Sequence, residues 1–252
     1  MELKNVIHAA IISFAISSLP NAFANFANKD IKTINNQKIY GLELGGTRVI
    51  YKLDSNSVSL RVKNTQPYPV LVQPTVYNED RKTEGPFLVT PPIQRMEPDT
   101  QTRLRIILTN EEISQDKESL FWLCVKGVPP VNIGDEESSK KDYAEINVNV
   151  LSNSCIKLIT RPDSIKITPA KASEKIKWSI RGNEIIAKNN SPLYINFSSV
   201  NFNGTEAKLQ ERYIKPYSEM KFRINTKKAT NSIEWSVYDD YGAESPVQKS
   251  VL

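Results

Sequence analysis

No long segment of this 252-residue chain carries the 3.6-residue apolar period of a helix, whereas short alternating runs of Val, Ile, Thr, Tyr and Phe recur through most of it. Strands are expected at 48–53, 57–64, 69–77, 103–108, 120–126 and 144–160, and again at 164–168, 176–180, 184–189, 193–200, 219–225 and 232–238. Turn residues at Asn78-Glu-Asp80, Gly85-Pro86, Gly182-Asn183 and Asn190-Ser-Pro192 separate them. About seven short strands per half at this spacing read as an all-β chain of two immunoglobulin-like sandwiches. The boundary falls at Arg161-Pro162-Asp163, where a proline stops the longest run and a new alternation begins.

Residues 1–24 read as a signal peptide. Lys4 precedes an apolar run from Val6 to Ile16, and Ala22-Phe-Ala24 offers a small-X-small cleavage site. That run is too short for a membrane span, and no later stretch approaches the roughly 20 apolar residues a span requires. Cleavage starts the mature chain at Asn25, outside the cytoplasm, and removes His8, the only histidine. Without an imidazole, a nucleophile motif, a metal-ligand spacing or a Gly-rich phosphate loop, the chain is not expected to be an enzyme or to carry a cofactor. The net charge of +5 is modest and its cations are scattered among acids, so nucleic acid is not an expected partner.

In Ala144-Glu-Ile146-Asn-Val148-Asn-Val150, small or apolar side chains share one face of an extended strand, and the run continues through Cys155 and Lys157 to Arg161-Pro162. Such a strand offers a partner a row of hydrophobic knobs with a cation beyond them. The two cysteines, Cys124 and Cys155, are expected to pair in an oxidising compartment, two buried thiols being the other reading. A bridge closing about 30 residues contributes roughly 3.5 kcal/mol by loop entropy.

Eight motifs in order resemble a known family. They are Gly46-Thr-Arg48-Val-Ile-Tyr51, Asn64-Thr-Gln-Pro-Tyr68, Thr90-Pro-Pro-Ile-Gln-Arg-Met-Glu-Pro98, Glu118-Ser-Leu-Phe-Trp122, Gly127-Val-Pro-Pro130, Lys157-Leu-Ile-Thr-Arg-Pro162, Asn190-Ser-Pro192 and Asp240-Tyr-Gly242. Together they are similar to the PapD-like periplasmic chaperones of the chaperone-usher pathway. The cysteine pair flanking a long loop resembles the FGL subfamily, while the second half has no cysteines and so lacks the disulfide found there in PapD.

The resemblance implies two sandwiches, 25–161 and 162–252, in an L or boomerang arrangement around a client-binding cleft. It implies that strand 144–158 completes an unfinished fimbrial or capsule-like adhesin subunit by donor-strand complementation, inserting Ala144, Ile146, Val148 and Val150. Arg48 and Lys157 would hold the subunit's C-terminal carboxylate, and Glu118, Arg161 and Asp240 would form an interdomain salt bridge. Pro91, Pro92 and Ile93 are candidate contacts to the outer-membrane usher, in a run too rich in proline for a central strand and read as a shaped loop. Ile39, Leu42 and Leu44 are candidate additions to the client surface, a disordered leader being the other reading of 25–43. An exposed edge of this kind also favours self-association of the free form. The competing class is a secreted structural or adhesive immunoglobulin-like protein, disfavoured because the exposed strand lies mid-chain and a second sandwich follows. Val150 and Lys157 differ by seven, which sets them on opposite faces of a regular strand, so a bulge or twist is expected near Ser152-Asn-Ser154.

Overall fold

The computed structural model describes residues 32–109, 112–130, 143–223 and 231–252. The signal-peptide reading of 1–24 lies outside them. The first half contains β1 (Lys32–Tyr40), β2 (Glu43–Leu44), β3 (Arg48–Lys52), β4 (Val58–Lys63), β5 (Val70–Asn78), β6 (Phe87–Thr90), β7 (Gln94–Met96), β8 (Gln101–Leu108), β9 (Ser119–Val128) and β10 (Tyr143–Arg161). One sheet runs β1-β10-β9-β5-β7 with β3 also on β10, and the other runs β2-β4-β8-β6.

Alternation explains how these sheets stack. Leu60 and Val62 of β4 and Leu104 and Ile106 of β8 meet Val72, Val76, Leu123, Val125 and Leu158 from the facing sheet in one buried core. Strand β9 is apolar on both faces. Phe121, Leu123 and Val125 enter that core, while Leu120, Trp122 and Cys124 form a second cluster with Ile159 and with Tyr194 of the other sandwich. The first sandwich is therefore built to be covered on its outer face by its neighbour.

The second half contains α1 (Pro169–Ser173), β11 (Lys177–Arg181), β12 (Glu184–Lys188), β13 (Ile195–Phe202), β14 (Thr205–Glu206), β15 (Tyr213–Ile214), β16 (Glu219–Arg223), β17 (Ser232–Val237) and β18 (Gln248–Val251). Sheets β11-β12-β16 and β14-β13-β17-β18, with β15 on β13, enclose a core in which the Trp178 ring lies 5.2 Å from Trp235 and 5.9 Å from Phe197.

Two expectations are corrected. The alternation at 164–168 is not a strand: Ile165 and Ile167 pack on the second core from irregular backbone. Thr168 then caps a short helix whose first residue is Pro169 and accepts from the Lys171 amide at 3.4 Å. The proline-rich run 90–98 is not all loop, because β6 ends on Thr90 and β7 takes Gln94–Met96, two edge strands on either side of Pro91-Pro92-Ile93. The short strands β2, β14, β15 and β18 were not foreseen, since two to four residues carry too little alternation to register, whereas over Lys32–Tyr40 the leader is the extended first strand that the family resemblance implied.

Strand β1 lies parallel to the free half of β10, with Lys32 opposite Tyr143 through to Tyr40 opposite Leu151. The Tyr68 hydroxyl accepts from the Ile39 amide at 2.8 Å and donates to the Ile39 carbonyl at 3.0 Å, fixing where β1 ends. The Tyr40 carbonyl rests against Gly127 so closely that a Cβ there would collide with it. Only glycine permits that crossing.

Candidate functional site

Strands β3 and β10 run parallel with Arg48 opposite Lys157, Val49 opposite Leu158 and Ile50 opposite Ile159. Val49 and Leu158 point into the first core, so Arg48 and Lys157 stand side by side on the other face, towards the second sandwich. There the Lys157 ammonium donates to Asn196 Oδ1 and lies 4.4 Å above the Tyr213 ring. The Arg48 guanidinium lies 5.3 Å from the Tyr238 ring, and its Nε is buried with no acceptor.

Burial first, and then the neighbouring Arg48 charge, lower the Lys157 pKa to about 8, while Glu211 works the other way. Arg48 is also lowered by burial, against the fields of Asp240 and Asp239. Among the described residues neither cation makes a salt bridge. Two adjacent, partly desolvated cations with donors to spare suit one anionic group, with Arg supplying a planar fork and Lys a point charge.

Arg161, at the end of β10, joins the sandwiches. Its Nε donates to Glu118 at 2.6 Å, and its two terminal nitrogens donate to the two oxygens of Asp240 at 2.7 Å each. The other Glu118 oxygen accepts from the Tyr194 amide at 2.6 Å, and the Glu118 amide donates to the Pro192 carbonyl at 2.9 Å. Burial pushes the Glu118 carboxyl up to about 7, with Arg161 pulling it back. Burial also opposes the Arg161 charge, but the hydrogen bonds and fields of Asp240 and Glu118 outweigh it and hold its pKa above the ordinary value.

Cys124 and Cys155 are directly opposite in β9 and β10 and form a disulfide. Beyond it β10 outruns β9: Ser152 pairs with Gly127, and over 143–151 the only described partner of β10 is β1. Ile146, Val148 and Val150 are left 51%, 48% and 38% exposed. Of Ala144, only its place in β10 lies among the described features.

The expected bulge near 152–154 is absent. Pairing to β1 over 143–151 and to β9 over 152–160 runs without a register shift. A regular strand therefore carries 146, 148 and 150 on the same face as Ile156 and Leu158, and Lys157 on the other. The assumption that knobs and cation share a face was the error. The exposed row is the core face of the first sandwich continuing past the end of its opposing sheet, and the cation belongs to the interdomain face.

Ile39 is exposed and aligned with Val150, but Leu42 and Leu44 pack against the first core and are not on that surface. Ile93 is exposed beside Pro91-Pro92, with Leu88 of β6 also exposed nearby in the chain. Sequence reasoning missed Asn196, Tyr213, Tyr194 and Tyr238, along with a second interdomain ion pair in which Lys215 reaches Glu79 at 3.0 Å. Only Asn190-Ser-Pro192, next to this wall, had signalled it. No group of metal-binding side chains occurs among the described residues.

Residues 41–166 match the family model for pili and flagellar-assembly chaperones, PapD N-terminal domain, and residues 171–249 match that for the pili assembly chaperone PapD C-terminal domain. The chain belongs to the PapD-like pilus-assembly chaperones. This chaperone is 39% identical to the chaperone protein SefB of Salmonella enteritidis over 244 residues, 96% of this chain and 97% of that one. It is 37% identical to caf1M of Yersinia pestis over 253 residues, covering 96% and 95%. Among solved structures, the Escherichia coli chaperone DraB superposes with a TM-score of 0.78 at 38% identity, over 87% of this chaperone and all of that chain. The SafB chaperone of Salmonella enterica, solved in complex with the SafA pilin, gives 0.77 at 35% identity, over 86% and 99%. The second sandwich and its mid-chain exposed strand are thus those of a chaperone rather than of a structural or adhesive subunit.

Proposed function

We propose that this chaperone works in the periplasm, where it captures a fimbrial or capsule-like adhesin subunit by donor-strand complementation and delivers it to an outer-membrane usher. The observation that carries the reading is one regular strand with two working faces. Ile146, Val148 and Val150 lie exposed on one face, and Lys157 lies on the other in register with Arg48. Past the end of β9, the edge of β10 opposite β1 supplies main-chain donors and acceptors for ladder bonds, and its apolar row fills the client's groove, with Ala144 extending that row. Arg48 and Lys157 then take the client's C-terminal carboxylate, which fixes its register along the strand.

In this reading residues 1–24 direct export, 25–161 form the capturing domain, and 162–252 form the domain that closes the cleft. Cys124–Cys155 braces the base of the client strand as in the FGL subfamily, Glu118, Arg161 and Asp240 set the domain angle, and Pro91, Pro92 and Ile93 meet the usher. The free form hides its sticky edge by self-association. The relatives named as chaperones, and the SafB structure solved with a pilin, support the choice of client class.

The test is co-expression of Lys157→Ala with a fimbrial subunit. The variant is expected to fold and to reach the periplasm yet to recover at least tenfold less subunit on purification, as losing about 1.4 kcal/mol of a charge-assisted bond requires. Normal co-purification would remove the anchor from the mechanism.

A further inference from the structure

Lys157 is already engaged in the free protein. Its ammonium donates to Asn196 Oδ1 of the second sandwich, and Asn196 is only 5% exposed. The side-chain Nδ2 of Asn196 donates to the Tyr194 carbonyl at 3.4 Å, which turns Oδ1 towards the lysine. Its main-chain carbonyl accepts from the Tyr238 amide at 2.8 Å, and Tyr238 also carries the ring beside Arg48. Across β13 and β15, Asn196 is the direct partner of Tyr213, whose ring underlies the same ammonium. Two cross-strand pairs therefore face each other over the base of the cleft: Arg48 with Lys157 from the first sandwich, and Asn196 with Tyr213 from the second.

We propose that Asn196 is a neutral placeholder for the client's carboxylate, occupying Lys157 in the free chaperone and giving way when an anionic chain end arrives. This rests on the carboxylate-anchor reading above. A partly buried ammonium without an acceptor is costly, so the empty cleft needs one. A carboxylate in that position would satisfy the cation permanently. An amide oxygen fills the hydrogen bond and leaves the charge, so exchange for a carboxylate gains a charge-assisted bond about twice as strong as the neutral one. A neutral carbonyl from elsewhere in a client gains nothing by the exchange. The amide thus makes the cleft select a free chain end over internal carbonyls, and Tyr213, which offers only the face of its ring, steadies the lysine without competing.

The probe is a synthetic peptide of alternating apolar residues ending in a free carboxylate, compared with the same peptide ending in an amide. The full mature chaperone is expected to bind the acid more tightly. Asn196→Asp is nearly isosteric and adds an ion pair, so it is expected to melt no lower than the parent yet to bind the acid peptide at least about tenfold more weakly, erasing the preference. Asn196→Ala is expected to bind the acid peptide at least as well as the parent, and a tenfold loss there would make Asn196 a helper and overturn the placeholder. If Asn196→Asp keeps the preference while Lys157→Met loses it, the anchor stands and the placeholder falls. If the parent binds acid and amide alike, or Lys157→Met keeps the preference, both readings fall together.

Discussion

Lys157 is held where its charge is expensive. Its pKa is lowered to about 8 from an ordinary 10.5, by burial first and then by Arg48 and Arg81, with Glu211 opposing them. The Tyr213 hydroxyl is pushed up to about 12 and stays neutral through that range, and Asn196 does not titrate. Because the folded state gives up the proton more readily, the unfolded chain binds more protons between about pH 8 and 10.5, and stability rises with pH across that window. The same stability is lost as pH falls through about 8. Under the proposed carboxylate anchor, client capture runs the other way, since it needs the ammonium. Subunit affinity is thus expected to fall as pH is raised from 7 to 9 while the melting temperature does not. Lys157→Met is expected to melt above the parent at pH 7, with the gap closing by pH 10.5. An affinity flat across pH 8 would show that the charge on Lys157 is not what the client reads. Both cations were legible in the sequence, because each sits in a compact motif. Asn196, Tyr213 and Tyr238 were not, since each reaches the cleft only through the docking of one sandwich on the other and no local pattern records that.

Among the elements, β10 is the one on which the proposed capture rests most, and its alternation was readable because period-two patterning survives where one face is apolar. What the pattern could not reveal was the partner on each edge. The regular pairing to β1, β9 and β3 comes from residues 25 or more positions away, and it turns an apparent conflict of phase into a division of labour between faces. Leu42 and Leu44 illustrate the limit from the other side: their apolar character fitted a client surface and a core equally well, and packing against the first sandwich decided it. A strand whose exposed row is spare core surface should tolerate charge in the free state and not in the complex. Val148→Lys is expected to leave the melting temperature within about 1 °C, because surface substitutions of this kind stay within about 0.5 kcal/mol. It is expected to lower subunit recovery at least as much as Lys157→Ala does, because the complex would have to bury an unpaired ammonium in an apolar groove. Subunit recovery equal to the parent would mean that the row does not enter the client.

At the scale of the whole molecule the two sandwiches act as one tool only if the cleft keeps its angle. The Glu118, Arg161 and Asp240 cluster lies on the interdomain face at the end of β10, and the Glu79–Lys215 pair adds a second tie between the sandwiches. These ties differ in kind. Lys215 is well exposed, so its pair is screened and contributes little. Arg161 and Glu118 are largely buried, and Glu118 has its second oxygen committed to the Tyr194 amide, so removing the arginine strands a carboxyl that burial already holds near pH 7. Breaking such a pair from one side costs about 3–5 kcal/mol, whereas removing both charges costs far less. Arg161→Ala is therefore expected to lower the melting temperature more than Arg161→Met combined with Glu118→Gln. It should also broaden the distribution of interdomain distances read by paired spin labels on the two sandwiches, whereas Lys215→Ala should change neither measurably. Because a raised carboxyl pKa favours the protonated folded form, the stability of Arg161→Ala should fall more steeply than that of the parent as pH rises from about 4.5 through 7 and beyond. An Arg161→Ala protein with parental melting and an unchanged distance distribution would mean that the cleft angle is set by the apolar contact of Tyr194 with Leu120, Trp122 and Ile159 alone.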